Sequence, residues 1–231
     1  MTADRIFHFA LLIHILNGSI ALVIAPLAMV TVKGGLWHRR WGKIFFWAMA
    51  GVALTATVMC FIRSGVFLFL VAIFSFYFAL TGYAFLHRKR PEDRPGSLEW
   101  CAAIAMLLAG IIFFGTGVLD ANLGAERWLR LVFGFFALLL SSLDLRRFFK
   151  PHQSKRAWMY EHMGRFLGAY IATITAFSVV NFQFLPQFLR WFWPTGIGVP
   201  LIIIWQAYYK RKFKQEAPAQ HAPASVAVNQ P

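Results

Sequence analysis

The stretch 156–181, RAWMYEHMGRFLGAYIATITAFSVVN, decides the fold because it is long enough to cross a bilayer and yet carries charge. At about 1.5 Å per helical residue it exceeds a hydrocarbon core of roughly 30 Å. Its first turns contain Glu161, His162 and Arg165. Ionisable groups at membrane depth are costly, so by default they face protein or water. The stretch therefore predicts a transmembrane helix with a polar interior site.

A ridge of small residues runs along this stretch when it is wound at about 100° per residue. The ridge consists of Gly164, Gly168, Ala172 and Ala176. His162, Arg165 and Thr173 flank it. Because small residues allow another helix to approach closely, we predict that Gly168 lies at a close helix crossing. Ile171 falls outside the ridge and is predicted to face lipid.

The composition of the chain is typical of a membrane protein. Of its 231 residues, 59% are hydrophobic and 14% are charged, and the mean hydropathy is +0.58. Soluble domains have about 45–50% apolar and about 25% charged residues. The net charge of +14 does not indicate nucleic-acid binding, because the basic residues concentrate in alternate loops. The expected partner is the lipid bilayer, with anionic lipids attracted to those loops.

Seven apolar segments are long enough to span a membrane, which predicts an all-α transmembrane bundle. They run from about Ile6 to Val32, Ile44 to Ile62, Gly65 to Leu86, Leu98 to Leu119, Trp128 to Leu145, 156 to 181, and Pro194 to Tyr209. We assign residues 1–214 to one seven-helix domain. The Pro- and Ala-rich tail 215–231 is predicted to be disordered and cytoplasmic.

The last span carries several signals of irregularity. The aromatic segment Phe184–Trp193 is interrupted by Pro186 and is predicted to lie along the membrane surface. Gly196, Gly198 and Pro200 then make the seventh helix the one most prone to a break.

Basic residues mark every second connection. The connections after the first, third, fifth and seventh spans contain Lys33, Arg39, Arg40, Lys43, Arg88, Lys89, Arg90, Arg94, Arg146, Arg147, Lys150, Lys155, Arg156, Lys210, Arg211, Lys212 and Lys214. The other connections are poor in basic residues. The positive-inside rule then predicts that the N-terminus is outside and the C-terminus is cytoplasmic.

Signals for other chemistry are weak. Cys60 and Cys101 fall near opposite membrane faces in this topology, so they are not predicted to pair, and no CxxC or CxxCH sequence occurs. The start of the chain does not resemble a cleaved signal peptide, so we expect the first helix to be retained. No nucleotide-binding, hydrolase or zinc motif is present, and no metal site is predicted.

The first span repeats the pattern of a histidine on a small-residue face. His14 shares a stripe with Gly18, Ala21, Ala25 and Ala28, and Asn17 lies beside it. Two interpretations stay open at this point. The histidine is either a hydrogen-bonding contact between helices or a ligand or proton site.

Two further groups are candidates at the cytoplasmic boundary. In the loop KGGLWHRRWGK, His38 and Arg39 lie between Trp37 and Trp41 and either anchor the interface or cap an anion-binding vestibule. Asp144 ends the fifth span at the level of Glu161, His162 and Arg165. A buried carboxylate requires a partner, and Arg165, Arg39 and His162 are the candidates. The cluster is either a structural ion-pair network or a proton relay or anion site.

Two of these stretches together resemble a known family. GGLWHRRWGKIFFWAM, with His38, Arg39 and Gly42, resembles the start of the bacterial membrane proteins grouped as domain of unknown function 2306. The stretch EHMGRFLGAYIATITAFSVVN is similar to that family as well. The resemblance covers most of the chain except the tail. It implies a multi-pass bacterial inner-membrane protein and supplies no established activity, so no catalytic residues follow from it.

Three functional hypotheses result, and an enzyme is the less favoured class. The first is a protein that binds or conducts a small polar ligand or a proton between helices 1, 5 and 6. The second is a structural or assembly subunit of a membrane complex. The third is a b-type haem protein, which is disfavoured because His14 and His162 differ in depth by about 8 Å.

Overall fold

The chain forms a helical bundle. The computed structural model describes residues 2–90, 92–149 and 156–219, and within these ranges it contains helices and no strand. The long helices are α1 (Ala3–Val30), α2 (Leu36–Arg63), α3 (Val66–Ala84), α4 (Ser97–Leu119), α5 (Ala125–Phe148), α6 (Ala157–Asn181) and α7 (Gln187–Ala219). Seven helices in this part of the chain are long and apolar enough to cross a membrane. The predicted all-α, multi-pass architecture is confirmed.

Consecutive helices pack as antiparallel neighbours around α3, except that α5 does not pack extensively on α6 within the described residues. In the α1–α2 hairpin, His14 meets Val52 near one end and Ala28 meets His38 near the other. The helix α3 contacts α2, α4 and α6, so it lies at the centre of the bundle. The end of the bundle where α1, α3, α5 and α7 finish is called the basic end below.

The small residues of α1 form part of the core, as their stripe suggested. Ala21, Ala25 and Ala28 are buried. Ala21 and Ala25 belong to a cluster with large side chains of α2 and small residues of α3 and α6, namely Phe45, Phe46, Met49, Ala79 and Ala169. Large side chains of α2 occupy the space that the small side chains leave on the neighbouring helices. The resulting van der Waals packing holds helices together in lipid, where the hydrophobic effect does not.

The face assignment of α6 is correct at one position and wrong at another. A Cβ atom on Gly168 would lie 3.0 Å from the Phe78 ring of α3, so the predicted close crossing is confirmed. Ile171, however, packs on α7, where its Cδ1 atom would lie 2.5 Å from a Cβ atom on Gly198. The helical periodicity of α6 predicted the face that meets α3, but it could not show that α7 packs on the face that carries Ile171.

The seventh helix is continuous, so the predicted surface segment and the predicted break are both wrong. Pro186 directly precedes the helix, where its missing N–H has no intrahelical partner to lose, and its carbonyl accepts a hydrogen bond from Arg190 N at 3.1 Å. Pro194 and Pro200 lie inside α7 without ending it, as transmembrane helices allow. The helix continues to Ala219, and the remainder of the predicted tail, 220–231, lies outside the described residues.

Candidate functional site

The buried guanidinium of Arg165 has an ionic partner inside the bundle, which offsets the cost of its desolvation. Arg165 of α6 and Asp144 of α5 are both buried, and Arg165 Nη2 donates a hydrogen bond to Asp144 Oδ1. The predicted pairing of Arg165 with Asp144 is therefore confirmed. A buried ion pair is stable only when further hydrogen bonds satisfy the remaining polar atoms of both groups.

The helix α3 supplies those further hydrogen bonds. Tyr77 Oη donates to Asp144 Oδ2, and Arg165 Nη1 donates to Thr81 Oγ1 at 3.2 Å. The Arg165 guanidinium also lies 5.4 Å from the Tyr77 ring centroid, within cation–π range. The sequence analysis did not single out these two residues, because a hydroxyl group in a helix can be satisfied by a carbonyl of the same helix, as Thr81 is by the Tyr77 carbonyl. Their spacing of four residues, which aligns them on one face, was the signal available.

A second layer of charge connects this pair to the basic end. Arg147 Nη1 lies 2.8 Å from Glu161 Oε1, and Arg165 Nε lies 3.7 Å from Glu161 Oε2. The exposed fraction of the side chains rises from 3% for Asp144 and 7% for Arg165 to 26% for Glu161 and 45% for Arg147. The network thus runs from the dry interior to a solvent-accessible end.

At that end the network forms one wall of a cavity of about 590 Å³. The cavity is lined by Phe78, Leu140, Arg147, Ala157, Tyr160, Glu161, Gly164, Arg165, Gln206 and Lys210. The backbone of α5 packs on α4 and touches α3, but within the described residues it makes no comparable approach to α6 or α7. The cavity occupies the resulting gap.

The polar lining of the cavity is predominantly cationic. Arg147, Arg165 and Lys210 contribute positive charge, against one carboxylate, that of Glu161. Among the described residues no carboxylate lies within 4 Å of Lys210, whose ammonium sits 5.4 Å from the Tyr160 ring centroid. Gln206 donates to the Tyr160 carbonyl at 2.9 Å and so joins α7 to α6.

The predicted histidines of the basic end lie beside one another but do not line this cavity. His162 Nδ1 is 2.9 Å from the Gly82 carbonyl, and His38 Nδ1 is 2.9 Å from the Ala28 carbonyl. Their ring centroids are 6.5 Å apart. A carbonyl can only accept, so each Nδ1 carries the proton and each ring ties two helices together. Arg39 is exposed on α2 and does not join the network around Asp144.

The other predicted site residues lie elsewhere in the bundle. His14 Nδ1 is 3.0 Å from Thr55 Oγ1, so it links α1 to α2, and Asn17 donates to Ile13 O at 2.9 Å on its own helix. Along the axis of α1, His14 lies about 21 Å from Ala28, whose carbonyl is hydrogen-bonded to His38 beside His162. The structure therefore does not bring His14 together with His162, as a haem held between them would require.

Thr173 is buried away from the cavity. Its hydroxyl donates to the Ala169 carbonyl at 3.0 Å and approaches Met49 Sδ at 3.3 Å. It thus connects α6 with α2. Of the helices 1, 5 and 6 that were predicted to form the site, α5 and α6 line this cavity together with α7 and α3, and α1 contributes no lining residue among those described.

A second buried ion pair fixes the connection between α3 and α4. Arg88 Nη2 lies 2.7 Å from Glu99 Oε1, and both side chains are 8% exposed. The Glu99 carboxylate also accepts from Gly96 N at 2.9 Å, which caps the start of α4. Desolvation lowers the pKa of Arg88, and the charge of Glu99 opposes that shift. This pair supports the fold and lies outside the cavity lining.

Comparisons with known proteins leave the site to be interpreted from its own geometry. No family model matches the chain, and no curated protein or solved structure is significantly similar to it. The resemblance to domain of unknown function 2306 stays a prediction. Within the described residues, no group of three or more His, Cys, Asp or Glu side chains is arranged to hold a metal ion.

Proposed function

We propose that the protein binds an anionic ligand in the cavity between α5, α6 and α7. The observation that carries this proposal is the lining charge: Arg147, Arg165 and Lys210 line the cavity with the carboxylate of Glu161. Asp144 balances Arg165 from behind the wall, so Lys210 supplies the unshared positive charge. A cavity with excess positive charge and partial desolvation favours a carboxylate or phosphate group.

The residues of the network have different roles in this proposal. Asp144, Tyr77 and Thr81 hold the Arg165 guanidinium in one orientation, so it forms a preorganised positive wall that loses little entropy on binding. Lys210 lacks a carboxylate partner within the described residues and is free to contact the ligand directly. Arg147 forms an ion pair with Glu161, and because its side chain is about half exposed, it can turn toward the ligand.

Binding fits the geometry better than conduction does. Beyond the cavity, toward the opposite end of the bundle, Phe133 packs against Trp191 with centroids 5.6 Å apart. Phe67 and Phe113 join the same cluster. These rings fill the space between α3, α4, α5 and α7, and the cavity is therefore interpreted as a pocket that opens toward the basic end.

Lys210→Gln is expected to weaken the binding of inorganic phosphate and of succinate by about tenfold, because an unshared cation is removed from the cavity wall. Calorimetric titration of the detergent-purified protein measures this change. Lys212→Gln, an exposed residue of the same helix outside the cavity lining, is the matched control and should bind both anions normally. Equal losses in the two variants would show that only overall charge matters.

The structural or assembly role remains the alternative. It is favoured by the mutual satisfaction of Arg165 and Asp144, since an ion pair that is complete without a ligand can serve packing alone. The same titration separates the two functions. If phosphate and succinate do not bind even to the unaltered protein, the structural role is supported and the binding proposal fails.

We further propose that the basic end faces the cytoplasm of a bacterial cell, since the basic connections gather there. A reporter that is active only in the periplasm, fused after Lys214, should be silent in this orientation. The same reporter fused ahead of Ala3 should be active. The reverse pattern would invert the orientation and would place the cavity on the outer side of the membrane.

A further inference from the structure

Within the described residues the backbones of α5 and α7 make no extensive approach to each other, and the gap between them beside the cavity is called the groove below. These two helices run in the same direction and meet at the end opposite the cavity, where Phe133 contacts Trp191 and Phe192 with centroid distances of 5.6 and 6.4 Å. Fourteen residues further along each helix lie Arg147 and Gln206, both of which line the cavity. That separation corresponds to about 21 Å along the helix axes. The groove is thus closed at one end by aromatic rings and ends at the other in the charged cavity.

The walls of the groove are apolar and partly exposed within the part of the chain that the structure describes. Phe136 lies on the same face of α5 as Leu140, one turn closer to the aromatic closure, and Val199 and Ile203 lie on the same face of α7 as Gln206 and Lys210. Phe136, Val199 and Ile203 are 43%, 42% and 61% exposed. In a bilayer, such a groove is covered by acyl chains.

The floor of the groove also suits a chain rather than a polar group. Where the groove meets the cavity, Phe78 of α3 and Gly164 of α6 line the cavity, and neither has a polar side chain. From Arg147 back to Phe136 the groove covers about 16 Å, which is close to the roughly 15 Å thickness of one bilayer leaflet. A single acyl chain that starts at the membrane surface therefore matches its length.

We propose that the ligand of the cavity is an anionic phospholipid of the leaflet at the basic end. Its phosphate lies between Arg147 and Lys210, and one acyl chain follows the groove toward Phe133 and Phe192. This inference rests on the proposed function and names the class of its ligand. A soluble anion would use the cationic wall but would leave the apolar groove unused, whereas a phospholipid uses both.

The headgroup arm of the test compares two lipids that differ in net charge. Native mass spectrometry of the purified protein, titrated with dioleoylphosphatidylglycerol or dioleoylphosphatidylcholine, should show preferential retention of the anionic dioleoylphosphatidylglycerol. The double variant Arg147→Gln, Lys210→Gln should reduce that retention by about tenfold or more. The control Arg146→Gln, Lys212→Gln removes the same charge from neighbouring positions that do not line the cavity, and should retain the lipid.

The chain arm of the test blocks the groove without touching the charges. Val199→Trp fills the groove at a position that does not line the cavity, and it should lower retention of phosphatidylglycerol while leaving the affinity for inorganic phosphate unchanged. Leu201→Trp, at an exposed position on another face of α7, should change neither. Thermal unfolding of each variant identifies any that has lost its fold. If the double variant Arg147→Gln, Lys210→Gln does not fold, the single variant Lys210→Gln at the exposed lysine is used in its place.

The outcomes distinguish this inference from the function on which it rests. If phosphate binding depends on Arg147 and Lys210, but the protein does not prefer phosphatidylglycerol or its retention is unchanged by Val199→Trp, the lipid inference is overturned and the anion site stands. If neither phosphate nor lipid binding depends on the two cations, both proposals are overturned. Loss of lipid in both the cavity variant and its matched control would also overturn the lipid inference, because it would indicate binding by diffuse surface charge.

Discussion

Arg165→Met is expected to lower the free energy of unfolding by about 3–5 kcal/mol, the cost of stranding a buried charge. The substitution leaves the Asp144 carboxylate, 3% exposed, without its closest cation. The remaining partners are the Tyr77 hydroxyl and Arg147, whose Nη1 atom lies 3.8 Å away. A hydroxyl donor does not neutralise a carboxylate, so a large part of its desolvation cost stays uncompensated. Unfolding of the purified protein in mixed micelles measures the change.

The double variant Arg165→Met, Asp144→Asn tests whether the cost comes from the stranded charge. It should be more stable than Arg165→Met alone, because the second substitution removes the unpaired carboxylate. Arg146→Met, an exposed arginine on α5, is the matched control and should change stability by less than about 0.5 kcal/mol. Additive effects of the two substitutions in the pair would show that Arg165 and Asp144 are not energetically coupled.

The pairing of Arg165 with Asp144 could be predicted from the sequence because it follows from a strong energetic constraint. A guanidinium cannot lose its proton, so at membrane depth it requires an anion, and few acidic residues lie at the right level. The number of spans was predictable for the same reason, since hydropathy reports directly on transfer into lipid. Both predictions follow from energetic requirements of single segments, namely a partner for a buried charge and apolar surface toward lipid. Neither depends on knowing which helices are neighbours.

The cavity could not be predicted, because neighbour relations between helices leave little trace in hydropathy. Tyr77 and Thr81 of α3 complete the Arg165 site, and Gln206 and Lys210 of α7 line the cavity. The spacing of four residues places each pair on one helix face, but it does not show which helix that face meets. His14 illustrates a pattern with two interpretations. Its position on a small-residue face fits a ligand site or a contact between helices, and the hydrogen bond to Thr55 of α2 fits the second.

Glycines of the α4–α5 contact were missed in the same way, although they hold α5 in position. Gly110, Gly117 and Gly134 each lie where the two helices approach most closely: added Cβ atoms would lie 2.9 Å from Leu138 N, 3.0 Å from Leu131 Cγ and 2.5 Å from Phe114 N, respectively. Because α5 packs mainly on α4, this contact determines where α5 presents Asp144 to Arg165 and Arg147 to the cavity.

Gly134→Leu is therefore expected to destabilise the protein by about 3 kcal/mol or more and to abolish anion binding in the cavity. The new side chain would meet backbone atoms of Phe114, the nitrogen at 2.5 Å and Cα at 2.8 Å, so it can be accommodated only if the two helices separate. Gly168 is more tolerant, since its close neighbours are ring atoms of Phe78.

Gly115→Leu provides the matched control on the partner helix. No atom lies within 4 Å of a Cβ added there, so leucine should be neutral, or slightly stabilising because glycine is a weak helix former. Thermal unfolding and phosphate titration of both variants in the same detergent measure stability and the site together. If Gly134→Leu matched Gly115→Leu in both measurements, α5 would not be held by its contact with α4, and the geometry assigned to Asp144 and Arg147 would have to come from another part of the bundle.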